Sequence, residues 1–251
     1  GPAAKLAIEK SRTSRAILEE FFVGREVVCE GFAYKGKYYN LSLGDRRYFE
    51  LPNLLIPSQT LFPSLLPREL QDRIMAYEQR NTAEGGLDFA ILHSEYLVNE
   101  ETGEIRVVET APRGGGVYIS SHLIPAAAGV DVTDLILRLS LGENVDVDSL
   151  FAQRERRSSG YVCFCLPEGV VASVDGRDEV KANPNVIRAY LDDIVPGLKT
   201  GPMLYKGARR GPILVRAENR AELENLISEV QKTLKIDVLG LNGQRHSARW
   251  R

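Results

Sequence analysis

Two glutamates separated by a short polar turn are the residues best placed to do chemistry in this chain. They lie in Ile91-Leu-His-Ser-Glu95 and in Ile105-Arg-Val-Val-Glu109, and Thr-Ala-Pro-Arg113-Gly-Gly-Gly116 follows the second. The flanking runs are aliphatic and β-branched, and Asn99 to Glu104 is polar, so the spacing predicts a hairpin. Side chains alternate along a strand, which puts His93, Glu95 and Leu97 on one face. In an antiparallel pair, Glu95 and Glu109 then face each other near one end, where two carboxylates repel. A divalent cation between them removes that cost. Mg²⁺ takes one or two carboxylates and completes its octahedron with phosphate oxygens and water. Arg113 stands just past the second strand, where a guanidinium can meet a phosphoryl or acyl oxygen. The three glycines let the backbone approach a ligand closely, but they lack the Lys of a P-loop. From spacing alone, the two acids read either as a metal site or as exposed strand residues.

Other elements must hold that hairpin in place. Residues 5–15 read as the end of a polar helix. Residues 26–34 read as a strand, Lys35-Gly36-Lys37 as its turn, and 38–43 as the returning strand. A loop containing Pro52, Pro57, Pro63 and Pro67 follows. Pro67 is placed to open a helix, with Ser64 nearby as its cap, and Gly85-Gly86 to stop it. Strands are expected at 87–98 and 105–109. Asp131 should cap a helix over 132–141, and Ser120, Ser121 and His122 read as caps rather than as chemical groups. Composition shifts at Arg154 to Gly160. Beyond it, strands at 161–166, 170–174, 213–216 and 236–239 surround an amphipathic helix at 221–234. The expected class is α+β. Residues 1–150 form a lobe around one mixed or antiparallel sheet, and 151–160 a linker. Residues 161–240 form a smaller α+β domain, and 241–251 a frayed polar tail.

Composition narrows the function further. The 251 residues are 43% hydrophobic and 26% charged, within the ordinary globular range. Thirty-two Lys and Arg face 34 Asp and Glu, a net charge of -2, which gives no electrostatic footprint for nucleic acid. No apolar run is long enough to span a bilayer, and no signal-peptide core opens the chain, so no membrane partner is expected. Cys29, Cys163 and Cys165 form no metal-binding spacing and read as buried free thiols. These features together predict a cytoplasmic protein and leave homodimerisation open.

The order of these features over residues 5–145 resembles the ATP-grasp superfamily, and residues 160–238 resemble the small α+β domain that follows ATP-grasp in its ligases. Leu18-Glu-Glu-Phe-Phe22 before Gly24-Arg25-Glu26 looks like the interlobe hinge and its strand. Glu109-Thr-Ala-Pro-Arg113-Gly-Gly-Gly is the most specific match, and with His93-Ser-Glu95 it is most similar to the L-amino acid ligase branch. The resemblance implies Mg·ATP, with Mn²⁺ as a substitute metal. Glu95 and Glu109 become the metal acids and Arg113 the catalytic cation. The backbone at Glu19 and Phe21 would bind adenine, and Phe22 would pack on its ring. Glu26 would bind the ribose, and Gly114 and Gly115 the phosphates. His93 reads as a substrate contact or as a structural histidine.

Small-molecule carboxylate and amine substrates joined through an acylphosphate are implied. Alternatives are biotin-carboxylase-like or carbamoyl-phosphate-synthetase-like chemistry, or a non-catalytic module. Two departures stand out. Ala111 occupies the position where most relatives place a metal-binding Asn. The family's Gly-rich phosphate loop and nucleotide-binding Lys belong upstream of residue 5, so the chain by itself is expected to be inactive, with the missing lobe supplied by the same gene or a second chain.

Overall fold

The computed structural model describes every residue except Asn53. Its first half opens with a three-stranded meander and returns to the other side of the first strand with a hairpin. Strands β1 (Arg25–Tyr34) and β2 (Lys37–Tyr48) are joined by Lys35 and Gly36, both at positive φ. That is the turn whose twist suits a two-residue hairpin. Strand β3 (Pro57–Phe62) pairs with β2, and β4 (Phe89–Val98) pairs with both β1 and β5 (Ile105–Ala111). Helix α1 (Pro2–Lys10) buries none of its residues. Helix α2 (Arg68–Glu84) covers one sheet face through Leu70 and Ile74, against Val27, Cys29, Leu43 and Tyr96. The opposite face carries Val28, Phe32, Tyr39 and Leu41. A π-helical turn (Ile119–Leu123) covers it together with α3 (Ile124–Ala128), α4 (Val132–Ser140) and α5 (Val147–Ala152). Both faces of β1 are therefore buried, which explains its nearly unbroken apolar run. Asp131 caps α4 by accepting from the Thr133 and Asp134 amides.

The sheet continues past the composition shift. Strand β6 (Ser158–Phe164) pairs with β3, then with β10 (Arg210–Ala217), which pairs with β8 (Val186–Ala189). The order is β5-β4-β1-β2-β3-β6-β10-β8. A second sheet joins β7 (Gly169–Asp175), β9 (Lys199–Thr200), β11 (Lys235–Gly240) and β12 (Arg245–Ser247). Every strand pairing among the described residues is antiparallel, in an α+β architecture. Helices α6 (Arg177–Ala182) and α7 (Arg220–Thr233) complete this half. Leu223, Leu226, Ile227 and Val230 of α7 pack with Leu61, Val162 and Val171.

Four expectations change. The proline-rich segment 52–67 is not all loop. Residues 57–62 form a fully buried strand, because Pro57 begins it and so removes no interior ladder bond. Ser64 does not cap α2, whose N-cap is Pro67; its hydroxyl donates to Asp45 and accepts from the Leu66 amide. Residues 241–251 are not simply a polar tail. β12 pairs with β11, Cys165 and Arg249 exchange backbone hydrogen bonds of 2.9 Å, and Trp250 packs on Phe164 with ring centroids 4.9 Å apart. Likewise, Ser120, Ser121 and His122 cap no helix; they sit inside the π-helical turn.

The two halves are fastened by a buried charge. Asp45 on β2 accepts from Arg25 at 2.6 Å and from the Leu65 amide at 3.1 Å, and it pairs with Arg220 of α7 at 2.9 Å. Arg220 also donates to the carbonyls of Leu61 and Pro63. Burial pushes the Asp45 carboxyl up, but the Ser64 and Arg25 hydrogen bonds outweigh it and hold it below the usual value. Asp45→Asn removes the buried counter-charge of Arg220 and leaves it only the half-exposed Glu224 at 3.2 Å, so stability should fall by up to about 3 kcal/mol. With a depressed folded pKa, the wild-type carboxylate contributes stability above its unfolded pKa and loses it as pH falls through the folded one. Urea melts taken downward through the carboxylate range should show a flatter acid limb in the variant.

Candidate active site

A chain of alternating charge runs across the sheet face beneath the glycine loop. Glu30 of β1 stands opposite His93 of β4, and its Oε1 bonds His93 Nδ1. His93 Nε2 reaches Glu95 Oε1 at 3.2 Å. Glu95 pairs with Arg46 of β2 at 2.8 Å, and Arg46 pairs in turn with Glu26 of β1. Glu30 is 1% exposed and His93 3%, so neither carries its charge without the other. Burial opposes the His93 charge, but the hydrogen bonds to Glu30 and Glu95 raise its pKa to about 9. The His93 hydrogen bond, opposed by burial and helped by Arg46, lowers Glu95 to about 2. Burial pushes Glu30 and Glu26 up, opposed by His93 at the first and by Arg46 at the second.

The glycine loop is tied to this chain. Gly115 N–H donates to Glu30 Oε2 at 3.3 Å, and Ser120 donates to the Gly115 carbonyl at 3.4 Å. Beyond the loop, Val117 and Tyr118 take left-handed backbone at φ 57° and 60°. A β-branched residue there is strained, and strain of this kind gathers at ligand sites. Arg113 Nη2 donates to Glu109 Oε1 at 2.8 Å, and Nη1 to the Gly114 carbonyl at 3.0 Å. A cavity of about 200 Å³ opens between these groups, lined by Arg46, His93, Glu95, Arg113, Tyr161 and Lys206. A larger hollow of about 400 Å³ lies over Val174 to Glu179, but its one guanidinium, Arg177, is engaged by the Ile194 carbonyl.

The register puts Glu95 directly opposite Glu109, with Arg113 and Gly114 at the same cavity. Gly115 lies beneath it, on Glu30. Glu26 reaches this cluster only through Arg46. Glu19, Phe21 and Phe22 lie apart from it, in irregular backbone before β1. Phe21 is 81% exposed, and the Phe22 ring lies 5.8 Å from the Arg106 guanidinium. Glu30, Arg46, Tyr161 and Lys206 are additional to the residues expected. Glu30 had a signal, as a lone acid inside the apolar run Val27-Val-Cys-Glu30-Gly-Phe-Ala33. Arg46 and Lys206 had none, because only strand pairing and the chain's return from the second half bring them near.

A magnesium ion fits the donor set only in part. Glu95 and Glu109 supply carboxylates from adjacent strands, Ala111 supplies nothing, and no group of three or more metal-binding side chains occurs among the described residues. Two carboxylates suit an ion that takes its remaining ligands from phosphate and water. The three cysteines are free and buried, and burial pushes the Cys163 thiol up to about 11, away from metal or nucleophile chemistry.

Residues 163–239 match the family model of the L-amino acid ligase C-terminal domain 2. The L-amino acid ligase from Bacillus licheniformis superposes with a TM-score of 0.71 at 23% identity, over 86% of this chain and 54% of that one. Phosphoribosylglycinamide synthetase from Anaerococcus prevotii gives 0.71 at 13%, over 91% and 57%. The biotin carboxylase domain of 2-oxoglutarate carboxylase from Hydrogenobacter thermophilus, solved with Mg·ADP and bicarbonate, gives 0.60 at 14%, over 90% and 46%. This chain has the fold of the C-terminal part of an ATP-grasp ligase. It spans about half the length of these ATP-grasp structures, and no curated protein matches it in sequence. No helix among the described residues is long and apolar enough to cross a membrane.

The glycine loop of this ATP-grasp lobe tolerates substitution unevenly. A methyl added at Gly115 overlaps the Glu30 carboxylate and meets His93 Nδ1 at 2.9 Å and Ile119 Cβ at 3.0 Å. Gly116 has nothing within 4 Å. Gly115→Ala should therefore cost about 1–3 kcal/mol by overpacking, while Gly116→Ala leaves the melting temperature unchanged. Thermal melts of the two variants check this.

Proposed function

We propose that this chain is the C-terminal part of an ATP-dependent carboxylate–amine ligase that binds Mg·ATP. The observation that carries the reading is the in-register pair Glu95 and Glu109, with Arg113 held on Glu109 and with Glu95, Arg113 and the glycine loop lining one cavity. The match of residues 163–239 to the L-amino acid ligase domain supports C–N bond formation over carboxylation. A substrate carboxylate oxygen attacks the γ-phosphorus of ATP and ADP leaves, giving an acylphosphate. An amine then attacks the acyl carbon, the C–N bond forms, and inorganic phosphate departs.

The protein's part is positioning and charge compensation. Glu95 and Glu109 would hold Mg²⁺, which neutralises charge on the phosphate oxygens. Glu95 is already ionised and fixed between His93 and Arg46, so little reorganisation is needed there. Arg113 turns from Glu109 to the acyl-phosphate oxygens. The Gly114–Gly116 backbone supplies close approach, and Glu30 holds it at the right height.

The reading also needs a lobe that carries the phosphate loop. Exposed Ile17, Leu18, Phe21 and Val23, with Val107 and Val108 on the edge strand β5, offer an apolar surface for it. Adenine would bind along the backbone at Glu19 and Phe21.

Glu109→Gln keeps the side chain's shape and removes one charge. In the complete enzyme, ADP release dependent on both an acid and an amine should drop by at least ~100-fold, the scale of one lost electrostatic contact in a preorganised site. The melting temperature should not fall, because removing one of two facing acids relieves repulsion. Turnover close to that of the parent would overturn the metal role and, with it, this reading of the site.

A further inference from the structure

A stack of rings crosses from the strained residues after the glycine loop to the second half, and the chemistry above gives it no work. The Tyr118 ring lies on the Tyr190 ring with centroids 4.6 Å apart and planes inclined by 11°. His122 meets the Tyr118 ring edge-on at 5.3 Å, and the Arg188 guanidinium lies 4.9 Å from the Tyr190 centroid. Tyr190 follows β8, and its amide donates to the Pro212 carbonyl of β10 at 3.0 Å, so its ring is carried by two strands of the second half. Val117 and Tyr190 both rest on the buried cluster that contains Ile119 and Leu123. Tyr118 is 39% exposed, so burial alone does not hold its ring there.

Left-handed backbone at two successive residues that are not glycine persists only where the surroundings over-determine it. One side of the pair is fixed by hydrogen bonds. The Tyr118 carbonyl accepts from the His122 amide at 3.0 Å and the Leu123 amide at 3.1 Å, and Ser159 of β6 donates to the Leu123 carbonyl at 2.7 Å. On the other side, among the described residues, the Val117 and Tyr118 amides donate to no protein acceptor. Their side chains must carry the restraint there, and an offset ring pair with a guanidinium on its outer face is a favourable way to do so. What the pair positions is the cavity wall, because Gly116 and Val117 line it with Arg113 and Glu95. We propose that Tyr190 is a positioning residue of the second half, whose ring holds Tyr118 and so keeps Val117 and the glycine loop at the wall of the cavity. This deepens the ligase reading and rests on it for the reaction being positioned. The loop geometry itself is tested without it.

The test labels valine methyls with ¹³C in the complete enzyme and assigns the Val117 signals by their loss in Val117→Ala. Tyr190→Ala should shift or broaden those signals, and Tyr190→Phe, which keeps the ring, should leave them in place. Tyr190→Leu keeps apolar bulk without a flat face; it should match the alanine variant, and it replaces that variant if alanine prevents folding. Trp250→Ala removes a ring from Phe164 elsewhere in the second half and should not move Val117. Val117 signals unchanged in Tyr190→Ala and Tyr190→Leu, or moved as far in Tyr190→Phe or Trp250→Ala, overturn the proposal. ADP release dependent on both an acid and an amine is scored separately. In Tyr190→Ala its kcat should fall ~10-fold or more, the scale of a small displacement of positioned groups, with KM for ATP unchanged. Tyr190→Phe should keep the parent kcat. A parent enzyme that releases no ADP with any acid and amine refutes the ligase reading, and the methyl signals still decide whether the stack holds the loop. Parent-like kcat in a Tyr190→Ala enzyme whose Val117 signals have moved refutes the positioning role and leaves the ligase reading standing.

Discussion

The structure turns on a row of charges that cannot be buried singly. Glu30, His93, Glu95, Arg46 and Glu26 alternate in sign across three adjacent strands, and each is held by the next. Removing His93 strands Glu30, and removing Arg46 strands Glu26, in a nearly dry interior where an unpaired charge is far costlier than in water. The row also fixes register. A slip of one residue in β1 or β4 would turn Glu30 or His93 to the face of α2, among Leu70, Ile74 and Tyr96. The loop geometry follows from the same constraint, because Gly115 comes down onto Glu30 and leaves no room for a side chain.

This explains which parts were legible in the sequence. The hairpins around Lys35-Gly36 and Asn99 to Glu104 carry local turn chemistry, and their strands appear within a few residues of where alternation puts them. Helix α7 and the Asp131 cap are likewise local signals. Strand β3 was hidden because its two flanking prolines resemble loop punctuation, while its burial comes from β2 and β6, distant in sequence. The acids Glu95 and Glu109 could be found from a short span. Arg46, which neutralises one of them, is 49 positions from it and is brought close only by pairing of β2 with β1. Residues 18–22 carry hinge-like spelling, and here they are irregular and largely exposed.

The second half is more than an appendage. β6 and β10 extend the main sheet, Arg220 reaches across to Asp45, and Tyr161 and Lys206 complete the wall of the cavity. The composition shift at 154–160 therefore does not mark an end to the core. The chain there is a short connection from α5 into a fully buried strand.

The two facing acids are built differently, and on the proposed reading the difference suits a site that holds and exchanges ligands. Glu95 is enclosed, with its charge fixed by His93 and Arg46 before any ligand arrives. Glu109 is half exposed, and its bond is to Arg113 four residues along the same chain. An exposed pair of that kind is worth about 1 kcal/mol or less, because water competes for both groups. An incoming dianion or cation can separate Glu109 from Arg113 at small cost, while nothing comparable can separate Glu95 from its partners. On the proposed ligase reading, the site is rigid where charge is preorganised and loose where ligands would enter, and the boundary between the two falls between β4 and β5.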